Sequence, residues 1–305
     1  MKWKKLGKIF DVDNIDLEWM NSHASVPFCE EIDSVFFKVY FSSRDTENKS
    51  NIGSFILNME TFEVSNISKK PLLKKGNLGA FDDSGIMGSC LLKVKDKKYL
   101  YYIGWNLGVT VPFRNSIGIA IENVDGEFNK LFEGPILDRT KEEPYFCASN
   151  CTLFDEGKYK MWYLSCVKWE KIEKEIRHFY HLKYTESEDG INWKRPGIVA
   201  IDFESEYEYA ISVPRVIKKN GKYKMWFSSR ATEKYKTYRI RYAESNDGKN
   251  WQRKKEIELD ISESGWDSEM VCYPFVFEYK EKLYMLYNGN GYGKTGIGLA
   301  VLEEE

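Results

Sequence analysis

The sequence predicts an all-β chain, a five-bladed β-propeller of four antiparallel strands per blade, forming one domain over residues 1–305. Three observations predict it. A nine-residue aromatic phrase recurs five times along the chain. Asp-Gly turns punctuate the segments between copies. No stretch demands a helix of two clear turns.

The phrase runs Phe36–Arg44, Lys98–Asn106, Lys158–Cys166, Lys222–Arg230 and Lys282–Asn290, with successive spacings of 62, 60, 64 and 60 residues. Each copy is aromatic-rich and partly alternating, as a half-buried strand requires. Each reads as the second strand of its blade, with the innermost strand just before it. Glu186-Ser187-Glu188-Asp189-Gly190-Ile191-Asn192-Trp193 matches Glu244-Ser245-Asn246-Asp247-Gly248-Lys249-Asn250-Trp251, and Asn123-Val124-Asp125-Gly126 is a weaker copy. These read as hairpin turns between third and fourth strands, so Asp189 and Asp247 are assigned to turns and not to catalysis. The last repeat runs out at Gly296–Leu302 without a fourth strand. The N-terminal segment Trp3–Phe10 is expected to supply it, removing an exposed sheet edge. The polar run Lys168–Glu175 is the best candidate for a short helical insertion.

Composition narrows the function. The net charge of −2 argues against a nucleic-acid partner, which would call for a basic excess. No run approaches the length of a membrane span, and the basic N-terminus lacks the apolar core of a signal peptide. Six scattered cysteines, with no C-x-x-C pair, read as reduced thiols in a cytoplasmic protein. They give no zinc site; no cofactor is expected, and no metal ligands are assigned.

In an antiparallel blade the start of the first strand and the end of the second lie at one mouth of the ring. Ungapped alignment on the phrase puts Asp83, Glu143, Tyr207 and Asp267 in one slot before the first strand, with Asn21 nearest to it in the first blade. Asp82, Glu142, Glu206, Glu208 and Glu269 flank that slot. Asp83, Glu143, Glu208, Asp267 and Glu269 are the candidate catalytic carboxylates. Arg44, Arg230, Asn106 and Asn290 end the second strands, and Arg215 follows Ser212-Val213-Pro214 on a first strand. The three arginines are candidate clamps for a carboxylate or phosphate. Trp105, Tyr145, Tyr209, Tyr273 and Trp266 are candidate faces for sugar rings, with core packing as the competing use. His23 opens the first inner strand and is a candidate ligand contact. Asp82 and Asn290 complete the candidate binding set; His178 and His181 receive no role.

Ser22-His23-Ala24, Phe81-Asp82-Asp83-Ser84-Gly85, the two Glu-Ser-x-Asp-Gly-x-x-Trp turns and Tyr287-Asn288-Gly289-Asn290 together resemble the five-bladed propeller glycoside hydrolases and their relatives. That group includes arabinanases, xylosidases, fructosidases and mannoside phosphorylases. The chain looks most like the branch associated with bacterial surface-polysaccharide synthesis. The resemblance implies a glycosidic bond as target and a sugar or oligosaccharide as ligand, with phosphorylated, nucleotide-linked and acidic forms left open. It implies Asp83 as the tuning carboxylate of the second blade and Glu143 as the proton donor of the third, its pKa raised by its neighbours. The first blade departs, with Asn21, Ser22 and His23 where such hydrolases carry a base. The base would then come from Glu208, Asp267 or Glu269. Hydrolysis, phosphorolysis or transfer with phosphate or an activated sugar on Arg44, Arg215 and Arg230, and sugar binding without turnover all remain open.

Overall fold

The computed structural model describes residues 1–304, and all of its extended secondary structure is β. β1 (Lys2–Phe10) opens the chain. The first four-stranded unit is β2 (Ser22–Glu31), β3 (Phe36–Arg44), β4 (Ser50–Asn58) and β5 (Val64–Ser65). The second is β6 (Gly85–Val94), β7 (Lys97–Leu107), β8 (Phe113–Glu122) and β9 (Phe128–Lys130). The third is β10 (Cys147–Asp155), β11 (Lys158–Ile172), β12 (Glu175–Ser187) and β13 (Ile198–Ile201). The fourth is β14 (Glu208–Lys219), β15 (Lys222–Ala231), β16 (Arg239–Ser245) and β17 (Gln252–Arg253). The last has β18 (Cys272–Tyr279), β19 (Lys282–Asn288) and β20 (Ile297–Glu304), and β1 lies antiparallel on β20 as its fourth strand. Sequential neighbours within each unit are antiparallel.

The recurring phrase falls on β3, β7, β11, β15 and β19, the second strand of each unit. Their central residues are the most deeply buried: Tyr40, Phe41, Trp162, Tyr163, Trp226, Phe227 and Tyr287 have no exposed surface. β1 is held by packing as well as by hydrogen bonds. The Phe10 ring sits 4.9 Å from Phe41 and 4.4 Å from Phe55, tying the last sheet to the first.

The two Asp-Gly turns form as expected. The Asp189 carboxylate accepts the amides of Ile191 and Asn192, and Asp247 accepts those of Lys249 and Asn250. Gly190 and Gly248 take φ of +76° and +75°, where a side chain would be strained. Each turn docks on the preceding unit: Tyr101 donates to the Gly190 carbonyl, and Trp162 to the Gly248 carbonyl at 2.6 Å.

That latch corrects the register of the second unit. Tyr101 plays the part of Trp162, so its phrase begins at Lys97, one residue before the copy read from sequence. A second correction concerns Lys168–Glu175. It is no helix; β11 and β12 continue as a ladder to the Ile172–Glu175 pair. Trp169 is the reason, because its ring packs at 5.0–5.6 Å on His178, Phe113 and Phe146, contacts that reward a strand.

The first strand of each unit is broken by a bulge, and the freed amide is taken by a side chain of the unit before it. Ser42 accepts from Gly88, Ser89 from Asn150, Ser149 from Val213 and Ser228 from Tyr273, at 2.6–3.0 Å. Asn288 of the last unit accepts from Val26 of the first at 2.8 Å. The chain of contacts therefore returns to its start.

Asn288 also donates to the carbonyls of Ala24 and Gly296, and it is fully buried. Asn288→Ala leaves these groups unpaired and is expected to lower unfolding free energy by about 2–4 kcal/mol in urea titration. A cost below about 1 kcal/mol would show that this seam does not hold the last unit to the first.

Candidate functional site

Strand pairing defines the mouth. Ser22 faces Arg44, Gly85 faces Trp105, Cys147 faces Ser165, Ala210 faces Arg230 and Cys272 faces Asn288. Further along the first strands the interior narrows. Val26-Pro27, Val213-Pro214, Pro274-Phe275 and Arg215 help line a cavity of about 10 Å³. That is room for about one water. A larger groove of about 670 Å³ lies on the outer flank, lined by Asp202, Glu244, Lys249 and Trp251, away from the first strands.

Arg215 belongs to the constriction. Its Nε donates to the Val276 carbonyl at 2.8 Å and its guanidinium lies 4.0 Å from the Phe275 ring centroid. It is five residues further along β14 than Ala210, so it does not join Arg44 and Arg230.

Four of the predicted carboxylates are spent inside their own units. Asp82, Glu143, Glu208 and Asp267 are only 1%, 7%, 6% and 2% exposed. Glu143 accepts from Ser165 at 2.7 Å and Tyr163 at 3.0 Å, and pairs with Arg195 at 2.8 Å and Lys183 at 3.6 Å. Asp267 accepts from Tyr287 and pairs with Lys5 of β1 at 2.7 Å. Asp82 lies beside the Tyr102 hydroxyl and pairs with Lys130 of β9 at 2.5 Å. Glu208 accepts from Ser229 and pairs with Arg253 of β17 at 2.8 Å. Asp82, Glu143 and Asp267 each stand twenty residues before the tyrosine they meet, so Asp82 holds the slot assigned to Asp83. Lys130, Arg253 and Lys5 come from fourth strands, the outer edge of each sheet. These side chains therefore run across the sheet, away from the first strands.

The expected raised pKa of Glu143 is overturned. Burial pushes it up, but Arg195 and Ser165 outweigh burial and hold the carboxyl below its ordinary value. Glu208 is lowered likewise, with Arg253 and Ser229 overcoming burial. A buried acid beside a fixed cation stays ionised and makes a poor proton donor.

Asp83 and Glu269 are the predicted carboxylates with no ion pair among the described residues, and Lys49 acts on Asp83 only at longer range. Asp83 accepts from Ser84 at 2.8 Å, Asn106 at 2.7 Å and the Gly79 amide at 3.0 Å. These bonds outweigh burial and lower its pKa. Glu269 is exposed, and Asn290 fixes its backbone by accepting its amide at 2.8 Å. Trp105 is anchored by its indole N–H on Ser50 at 2.9 Å. Tyr145 is 36% exposed. Trp266 packs on Tyr287 beneath the last second strand.

The strongest gathering of side chains surrounds Arg230. Its guanidinium lies 5.0 Å from the Tyr209 ring, 4.8 Å from Tyr238 and 6.0 Å from Tyr292. It donates to the Tyr292 hydroxyl at 2.8 Å, and its Nη2 is 3.5 Å from His178 Nε2. Tyr273 stacks on Tyr292, and Tyr180 shares a hydrogen bond with Tyr238. Sequence reasoning gave His178 no role. The sequence places His178 in the third strand of the third unit, and the alternation of that strand, which sets it on the face of Tyr180, was the signal that could have found it. His178 is held near pKa 4 by burial and then by Arg230, so it is neutral at pH 7. His23 bonds Ser22 at 2.9 Å and is lowered to about 4 by burial, Arg44 and Lys294. Arg44 and Lys294, beside a neutral His23, continue the cationic mouth toward the first unit. No group of His, Cys, Asp and Glu with metal-site geometry occurs among the described residues.

No protein-family model matches this sequence. The chain is 39% identical, over 99% of its length and 100% of the relative's, to "Uncharacterized protein Rv1502" of Mycobacterium tuberculosis strain ATCC 25618 / H37Rv. Among solved structures it is similar to a glycoside hydrolase, with a TM-score of 0.76, 16% identity, and 99% and 93% of the two chains covered. A thermostable family-43 glycoside hydrolase aligns with a TM-score of 0.68 and 15% identity over 95% of this chain and 93% of that one. An endo-arabinase from Bacteroides thetaiotaomicron VPI-5482 aligns with a TM-score of 0.63 and 13% identity, over 95% of this chain and 97% of that one. At these identities the likeness establishes the fold, that of the β-propeller glycoside hydrolases.

The buried pairs make acid sensitivity predictable. Glu143 and Glu208 have folded pKa values below their ordinary value of 4.5. Their stabilisation is complete above that value and drains away as pH falls below it. Glu143→Gln is expected to cost about 3 kcal/mol at pH 7 in urea titration and to flatten the loss of stability between pH 5 and pH 3. A variant as stable as the parent, with the same acid profile, would contradict the structural assignment of Glu143.

Proposed function

The chain belongs to the same family as Rv1502 of Mycobacterium tuberculosis, and we propose that it is a carbohydrate-active enzyme working on a glycosidic bond at the mouth of a closed five-bladed propeller. The observation that carries this reading is the aromatic wall of the mouth. Trp105, Trp169, Tyr273 and Tyr292 present half-buried or exposed rings around a few polar groups, on a fold shared with glycoside hydrolases. Flat apolar faces with sparse, directed polar contacts suit a sugar ring.

The chemistry differs from a two-carboxylate hydrolase. Inverting hydrolysis needs an acid and an opposed base with room for water. Asp82, Glu143, Glu208 and Asp267 are committed to cations and hydroxyls, which leaves Glu269 as proton donor and Asp83 as the group that orients the mouth loops. The same commitment favours a second reading, a propeller that binds sugar without turning it over. Six buried, unpaired cysteines support a reducing compartment, and we place the protein in the cytoplasm.

The test is turnover of a panel of defined oligosaccharides, followed by chromatography of released sugars. Glu269→Gln is expected to reduce turnover by about 10²–10⁴-fold. Asp83→Asn, acting through loop position, is expected to raise KM more than it lowers kcat. Turnover unchanged in both variants would sink these assignments; binding by the parent with no turnover of any glycan would select the second reading.

A further inference from the structure

We propose that the ligand of this mouth is a sugar carrying an oxyanion, a carboxylate or phosphate group, and that Arg230 and Arg177 bind that group. The inference rests on the carbohydrate reading above and names the substrate class within it.

Arg195, Arg239, Arg241 and Arg253 each pair with a carboxylate at 2.5–3.0 Å. Arg230 and Arg177 have no carboxylate partner among the described residues. Both guanidiniums nevertheless lie 5.0 Å from the centroid of one ring, Tyr209. Glu170 stands opposite Arg177 across the β11–β12 ladder, but its carboxylate is taken by Lys168 at 2.9 Å. Two cations that share one tyrosine ring and are partly withdrawn from water favour an anion beside them. Tyrosine faces offset part of that cost and screen the flanks of Arg230, but they supply no counter-charge.

The hydrogen-bond inventory points the same way. His178 Nε2 can only accept from Arg230, which places the imidazole proton on Nδ1, and that atom is buried without a partner. Arg230 Nε is also buried and unpaired. Arg195, Arg241 and Arg253 leave Nε unpaired too, but each satisfies its charge through Nη. The Tyr292 hydroxyl accepts from Arg230 and keeps its own proton to give. The unmet His178 and Arg230 nitrogens are donors, so what surrounds Arg230 lacks an acceptor, and a planar guanidinium pairs best with a two-oxygen anion.

Isothermal titration calorimetry of the full chain at low salt tests this with glucuronate, glucose 1-phosphate and neutral methyl glucoside as probes. At least one anionic sugar is expected to bind ten-fold or more tightly than the neutral one, and which of the two does so identifies carboxylate or phosphate. Arg230→Met is expected to weaken that binding at least ten-fold, and Arg177→Met at least three-fold. Lys97→Met, an exposed lysine at the far end of β7, controls for net charge and leaves binding unchanged. Equal affinity for anionic and neutral sugars in the parent overturns the proposal, as does unchanged anion affinity in Arg230→Met; should that variant fail to fold, unchanged affinity in Arg177→Met overturns it. Calorimetry reads binding alone. An anion-binding protein with no turnover would therefore fail the enzymatic reading and keep this one, and an enzyme indifferent to Arg230 would do the reverse.

Discussion

Everything in this molecule hangs on a set of amide groups near the axis. A bulge in each first strand frees a backbone N–H that no strand can satisfy, and a buried donor left unpaired is costly. Ser42, Ser89, Ser149, Ser228 and Asn288 answer it, each from the unit before. Because every unit both gives and receives such a bond, no unit is secured alone. The same bulges bring Val26-Pro27, Val213-Pro214 and Pro274 together around a cavity of about 10 Å³. Val26, Val213 and Tyr273 take φ of 51°, 48° and 58°, an unusual conformation for such side chains, fixed by these bonds.

A second constraint shapes the mouth itself. The chain entering each of the last four units carries a carboxylate that becomes buried, and a buried carboxylate must find a cation and hydroxyl donors. The cation comes from Lys130, Arg195, Arg253 or Lys5, and the hydroxyl from the second strand. These clasps pin the entry segment of each unit to its own outer strands. They also remove negative charge from the site. What remains is cationic and aromatic, with Arg230, Arg177 and Arg44 facing few acids, and that balance separates this mouth from one built around two opposed carboxylates.

The repeat, the all-β class, the second strands, the Asp-Gly turns and the pairing of the N-terminal strand with the last sheet were legible from the sequence. All rest on local rules: the alternation of Lys222–Arg230, the positive φ demanded at Gly190 and Gly248, and the missing fourth strand after Leu302. The X-Pro pairs of three first strands are local signals too, since proline removes a ladder donor and marks the bulge beside it.

The tertiary structure alone decided what the charged side chains do. Asp82 and Asp83 are neighbours in the turn that enters β6, yet one is sealed against Lys130 and the other binds Asn106, because the turn points successive side chains in different directions. Lys168–Glu175 extends as a ladder because Trp169 finds Phe113 and Phe146 from distant positions. Arg215 and Arg230 look alike in sequence, and only the path of β14 separates the constriction from the mouth. Backbone preference is local and can be read along the chain. The partner of a buried charge is set across units, by atoms far apart in sequence, and there the sequence by itself is silent.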